Sequence, residues 1–241
     1  MNKLNISSIF CLLVLLSCLP LAAKNSTGGF IDFNVYPYLS DVDNDTSVTI
    51  NSGAKLANRF SYFGFINMGN QAQSSELSDT SSFYSEQNLR WQIRPDSPFD
   101  LTLQLNFRTG DDNDRHRLGV RWRLNDSIFI KDFFKRNRFQ YAINLHLVQF
   151  DNEPGNVWQI EHSFRKTWGT SDRTLYLSGF IDHTFNQRLP SEFSDNPIVA
   201  EAQFGVELLS DFFLIAEYRR NEYRIAQTNN WAVGAEYVIT W

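Results

Sequence analysis

Period-two alternation of apolar and polar residues constrains this chain more than any other feature. In residues 231–241, Val233, Ala235, Tyr237, Ile239 and Trp241 share one face, while Ala232, Gly234, Glu236, Val238 and Thr240 share the other. That is a β-strand with one apolar side and one small or polar side. Twelve segments carry strand signals: 29–39, 46–55, 59–69, 81–94, 99–109, 115–124, 138–150, 157–168, 173–185, 198–209, 212–223 and 230–241. Most match the roughly 9–11 residues that a strand needs to cross a bilayer. No repeat, low-complexity tract or linker interrupts the series, so one all-β domain is expected.

Parity assigns the faces. Leu101, Leu103, Leu105 and Phe107 oppose Thr102, Gln104, Asn106 and Arg108. Leu118, Val120, Trp122 and Leu124 oppose Arg117, Gly119, Arg121 and Arg123. Phe139, Tyr141, Ile143, Leu145 and Leu147 oppose Gln140, Ala142, Asn144 and His146. Trp158, Ile160 and Phe164 oppose Gln159, Glu161, Ser163 and Arg165, and Ala200, Ala202, Phe204, Val206 and Leu208 oppose Glu201, Gln203, Gly205 and Glu207. Strands of this length with aromatics near their ends fit a membrane barrel better than a soluble sandwich. Gly234, Tyr237, Ile239 and the final Trp241 resemble the C-terminal assembly signal of bacterial outer-membrane β-barrels. The resemblance implies a transmembrane, antiparallel, up-and-down barrel of about twelve strands, inserted by the barrel insertion machinery and surrounded by outer-membrane lipid.

The connections agree. Every second one is polar and often acidic: 40–45, 70–80, 110–114, 151–156, 186–197 and 224–229. Those between are mostly short: 56–58, 95–98, 169–172 and 210–211. Barrels of this type place long loops outside the cell and short turns in the periplasm, and an even strand count puts both termini there. One connection breaks the rule. Residues 125–137 fall on the short-turn side but are long, and Ile128, Phe129, Phe133 and Phe134 would form the apolar face of a short helix capped by Asp126 or Ser127. It reads either as an interfacial helix packed under the rim or as a docking point for a periplasmic or inner-membrane partner.

Residues 1–23 read as a secretory leader. Lys3 supplies a short basic region, Leu4 to Leu16 is largely apolar, and Pro20-Leu21-Ala22-Ala23 offers small residues for cleavage after Ala23. The alternative is lipoprotein processing at Cys18. Both cysteines, Cys11 and Cys18, lie in this segment, so cleavage after Ala23 leaves a barrel, 24–241, without disulfide or thiol. An aromatic content of 15% suits interfacial girdles, and a net charge of −5 argues against a nucleic-acid partner.

The inferred interior is crowded with charge. The pore-lining candidates are Arg90, Arg108, Arg117, Arg121, Arg123, Arg165 and Arg219 against Glu161, Glu201, Glu207, Glu217 and Glu236, with Asp32, Glu86 and Asp182 also pointing inward. These groups either zip the lumen shut in pairs or face each other across water. Twelve strands lie between filled eight-stranded barrels and open sixteen-stranded porins, so a narrow pore is expected.

Catalytic arrangements are weak. His162 and Ser163 are adjacent and face opposite sides, unlike the His/Ser pair of outer-membrane phospholipases. Asp111-Asp112 and Asp182-His183 resemble the omptin protease pairs only superficially. His116 beside Asp114 reads as a solvated mouth, and His146 as a structural inward residue. Four histidines without ligand spacing argue against a metal site, and no cofactor is implied. Strand count and size are similar to the nucleoside-specific channel family. That likeness covers architecture, and would put aromatics such as Tyr36, Tyr84, Tyr176 and Phe180 in the lumen unless they serve the girdles. The expected activity is passive diffusion of small polar or charged solutes. The alternatives are a closed structural or adhesive barrel and, third, a barrel hydrolase.

Overall fold

In a computed structural model of the chain, residues 28–39, 45–70, 80–110, 114–150, 156–169 and 173–241 are described. The leader, both cysteines, Asp111, Asp112 and much of the acidic connections lie outside them. Twelve strands form one closed antiparallel barrel. They are β1 (Gly29–Val35), β2 (Asp45–Lys55), β3 (Phe60–Asn70), β4 (Thr80–Gln92), β5 (Phe99–Arg108), β6 (Arg115–Arg123), β7 (Phe139–Phe150), β8 (Trp158–Gly169), β9 (Thr174–Phe185), β10 (Ile198–Leu209), β11 (Phe212–Asn221) and β12 (Asn229–Thr240). Each strand pairs with its neighbours in sequence, and β1 pairs with β12. The rim where β1 begins and β12 ends is called the terminal rim below, and the opposite one the loop rim.

The pattern of burial decides the solvent. Asn144 and Glu217 point inward and are 0% exposed, while Leu101 and Val233 point outward and are 47% and 50% exposed. A protein in water inverts this order. A barrel in lipid requires it, because apolar side chains meet acyl chains and closure leaves no unpaired strand edge. Two aromatic belts flank the apolar band. At the terminal rim, Phe60 pairs with Trp91, and Phe99 stacks on Trp122 at 5.9 Å. At the loop rim, Trp158 stacks on Phe185 at 4.1 Å and Tyr218 meets Trp231 at 5.0 Å. Interfacial aromatics in this arrangement fix a barrel's height in the bilayer.

Local chemistry moves several boundaries. β1 stops at Val35 rather than 39, because Pro37 has no N–H for the ladder. The chain rejoins β12 through a bridge from Tyr38 to Ala232. β11 ends at Asn221 rather than 223. In β7 the register against β6 steps from Leu118↔Val148 to Gly119↔His146, so Leu147 is an extra, bulged residue. Leu147 and Val148 therefore both face outward, and Gln149 turns in to accept a hydrogen bond from Arg117 Nε at 2.8 Å. A strict parity rule misplaces every residue beyond such a bulge.

The 125–137 connection also differs from expectation. It holds a 3-10 turn, Leu124–Asp126, and a helix of one and a half turns, α1 (Lys131–Arg136), capped by Ile130 without a side-chain bond. Neither Asp126 nor Ser127 caps it. Asp126 pairs with Arg123 at 2.8 Å, and Ser127 Oγ accepts from Trp122 Nε1 at 2.8 Å. Of the four apolar residues only Phe134 is buried.

Trp241 completes the seam. Its N–H donates to Gly29 O and its carbonyl accepts from Gly29 N–H, both at 3.1 Å. Each such bond contributes about 0.5–1.5 kcal/mol net. Deleting Trp241 should therefore lower the thermal midpoint of the refolded barrel and slow its insertion into vesicles, read by heat-modifiable mobility on gels; unchanged behaviour would remove the seam's importance. Leu103→Arg, at mid-height on the outer face, should cost about 2–4 kcal/mol in denaturant unfolding from vesicles. A neutral effect there would mean that the outer face does not meet lipid.

Candidate functional site: a charged, half-filled lumen

The inward faces enclose a cavity of about 1240 Å³, with Lys55 and Thr240 in its lining near the terminal rim and Thr109 and Arg224 near the loop rim. Its two walls differ. From β9 through β12 and just past the end of β1, inward side chains pack into an apolar cluster of Tyr36, Tyr176, Phe213, Ile215 and Ala232. Two glycines admit these rings. A Cβ on Gly205 would collide with the Tyr176 ring, and one on Gly234 with the Val35 carbonyl and Tyr36. The buried phenols keep their hydroxyls bonded: Tyr36 with Thr49 at 2.7 Å, and Tyr176 donating to Glu236. The cluster narrows the lumen on that side.

From β4 to β9 the wall is polar and cross-bonded. Glu161 accepts from Asn144 Nδ2 at 2.5 Å and from Gln104 Nε2 at 3.4 Å, with His146 Nε2 3.5 Å away. Glu86 accepts from Asn88 and Asn106 at 2.8 and 2.9 Å. Arg117 NH1 donates to Gln104 Oε1 at 2.8 Å. These bonds, most of them between strands, satisfy groups that would otherwise be costly to bury.

On the inner faces three arginines lie over aromatic rings: Arg90 over Phe63 at 5.6 Å, Arg108 over Tyr84 at 5.1 Å and Arg165 over Tyr176 at 4.1 Å. The ring faces hold the guanidinium planes by cation–π attraction. The Nε atoms of Arg90, Arg108 and Arg121 have no acceptor among the described residues. Guanidinium groups held in place this way border the cavity.

The sequence-derived candidates separate by position. Arg90, Arg108, Arg117, Arg121, Glu161, Arg165, Glu201, Arg219 and Glu236 line the cavity, as do Asp32, Glu86 and Asp182. Three candidates lie elsewhere. Arg123 is tied to Asp100 at 3.2 Å and to Asp126 below the terminal rim. Glu207 accepts from the Thr174 N–H at 2.8 Å at the same rim. Glu217 is sealed beneath Tyr38, whose hydroxyl donates to it. Tyr36, Tyr84 and Phe180 line the cavity, while Tyr176 belongs to the packed cluster.

Phe63 and Phe65 were not foreseen inside. Their strand carries aromatics at 60, 62, 63 and 65, on both faces, so period two gives no answer there. Phe213 and Ile215 sit in an unbroken apolar run, 212–216, and such a run is the sequence sign of a strand with apolar contacts on both sides.

The histidines fall apart. His146 is sealed in the wall, whereas His162 faces outward, bonded to the Tyr141 hydroxyl at 2.8 Å. His183 also faces outward, its ring centroid 3.9 Å from that of Phe185, with Asp182 on the inner face. Among the described residues no group of three or more His, Cys, Asp or Glu side chains is placed to hold a metal ion.

No family model and no curated protein matches the sequence. Solved structures do. The NanC porin aligns over 87% of this chain and 98% of its own, with a TM-score of 0.51 at 9% identity. The KdgM porin aligns over 86% and 98%, with a TM-score of 0.48 at 13% identity. A mutant porin of Rhodopseudomonas blastica aligns over 89% and 99%, with a TM-score of 0.36 at 8% identity. At such identities the likeness to NanC is one of fold, that of an outer-membrane barrel.

Tyr176→Ala should remove a fully buried ring from the packed cluster. It should cost about 3–5 kcal/mol of stability and, in those barrels that fold, raise ion conductance. An unchanged conductance would mean that the cluster does not narrow the path.

Proposed function

We propose that this chain is a narrow channel of the bacterial outer membrane that lets small polar or charged solutes diffuse passively through its lumen. One observation carries the reading: a single cavity, lined by ionisable side chains, has lining residues at both rims. In this reading residues 1–23 direct export and are removed, the terminal rim faces the periplasm, and residues Gly234 to Trp241 are recognised by the insertion machinery. The lumen needs no cofactor, and the reading assigns no catalysis.

Among the cavity-lining residues nine are basic and six are carboxylates, in a chain whose net charge is −5. The local excess of positive charge favours anions inside the lumen. Aromatic faces beside the arginines suit solutes that combine a charged group with a ring. The nucleoside-channel likeness remains one of strand count and size, and adds no residue to this site.

The packed cluster supports a second reading, a closed structural or adhesive barrel whose acidic loops meet surface partners. Selectivity separates the two. Arg121→Glu puts an opposite charge where an Arg Nε has no acceptor. Under a salt gradient across a planar bilayer, that variant should move the reversal potential toward cations. An unchanged reversal potential would detach Arg121 from the path, and absence of current in a folded wild-type barrel would favour the closed form.

A further inference from the structure

The 124–138 segment stands apart from the lumen chemistry. Two of its contacts are with the outer face of the barrel wall. Trp122 faces outward in the aromatic belt, and its indole N–H donates to Ser127. Phe134 stacks on Phe139 at 5.4 Å, and Phe139 also faces outward, opposite in parity to Gln140 in the cavity lining. Anchored by these two contacts, the segment turns Ile128 and Phe129 away from the protein. They are 84% and 79% exposed, among the most exposed large apolar side chains of the described residues.

Basic side chains surround these two. Lys131, Lys135, Arg136 and Arg138 are exposed on the same segment. Lys166, on the adjoining β8, lies over Trp168 at 5.7 Å and donates to the Asn137 carbonyl. Of the two acidic residues in the segment, Asp126 is already held by Arg123, which leaves Asp132. Elsewhere on the same rim, the turn from β10 to β11 carries Asp211 and no basic residue. The β2–β3, β4–β5 and β8–β9 connections on this rim also carry exposed basic residues (Lys55, Arg59, Arg94 and Arg173), but the 124–138 segment gathers four beside the exposed apolar pair.

We propose that this segment is a binding site for anionic phospholipid headgroups, resting on the reading that the terminal rim meets the periplasmic leaflet of the outer membrane. Ile128 and Phe129 enter the acyl-chain boundary from the outer wall. Lys131, Lys135, Arg136 and Arg138 donate to the phosphate and to the anionic part of the headgroup. An apolar wedge beside a basic cluster, at the height of an aromatic belt, is the chemistry of an interfacial anchor. Each Lys or Arg near an anionic lipid surface is worth about fivefold in affinity.

The test is native mass spectrometry of the refolded full barrel in detergent, with equal amounts of phosphatidylglycerol and phosphatidylcholine. The wild type should retain phosphatidylglycerol at least about fivefold over phosphatidylcholine. Lys131→Gln, Lys135→Gln and Arg136→Gln combined should lower that preference severalfold, leaving the share of Arg138, while heat-modifiable mobility stays that of the folded barrel. Ile128→Ser with Phe129→Ser should reduce retention of both lipids. Equal retention by the wild type, or an unchanged preference in the triple variant, would overturn the proposal and leave a protein partner as the occupant. Conductance is recorded on the same preparations. A lipid preference without current would sink the channel reading alone, and current without a preference would sink the lipid site alone.

Discussion

The pairing of β1 with β12 is the constraint on which the rest of the structure depends. It leaves no open strand edge, which would be ruinous in hydrocarbon. β1 is the shortest strand, with seven residues, and the seam extends past it through Trp241 at one end and the Tyr38–Ala232 bridge at the other. Once the seam is shut, each strand must send one side chain to lipid and the next to the interior. A composition that would be wrong for a soluble protein, with exposed Leu and Phe and buried Arg and Glu, then becomes the stable one.

The interior solves a filling problem unevenly. Twelve strands enclose more space than side chains of ordinary size can fill. On one side Tyr36, Tyr176, Phe213 and Ile215 pack as they would in a soluble core, with Gly205 and Gly234 giving them room. On the other side the polar groups bond across strands and leave the cavity between the two walls. Arg90, Arg108 and Arg165, held over aromatic rings, border that cavity. The barrel is thus narrowed without being plugged by a loop among the described residues.

Much of this was legible in the sequence. The twelve segments and their alternation follow from period two, and most inward charges follow from parity. Parity failed for stated physical reasons. The Leu147 bulge reverses the faces beyond it, and a bulge has no fixed residue signature. β3 carries apolar residues on both sides, as does the 212–216 run of β11, so the inward positions of Phe63, Phe65, Phe213 and Ile215 were hidden, although Glu217 and Arg219 of β11 were placed inward. Glu217 and Arg123 point inward as expected, yet partners distant in sequence, Tyr38 and Asp100, remove them from the open path. For the 125–137 segment the apolar residues were visible, but which of them packs depends on Phe139 and Trp122 across the turn. Orientation alone does not make a residue part of a site; its neighbours decide that.

The central claim is that water fills a continuous, charged path between the two rims. Single-channel recording of the purified, refolded protein in a planar bilayer tests it most directly. The account predicts discrete current steps whose size rises with salt concentration and whose reversal potential under a salt gradient favours anions. A protein shown to be folded and inserted that gives no steps at any salt concentration would contradict it.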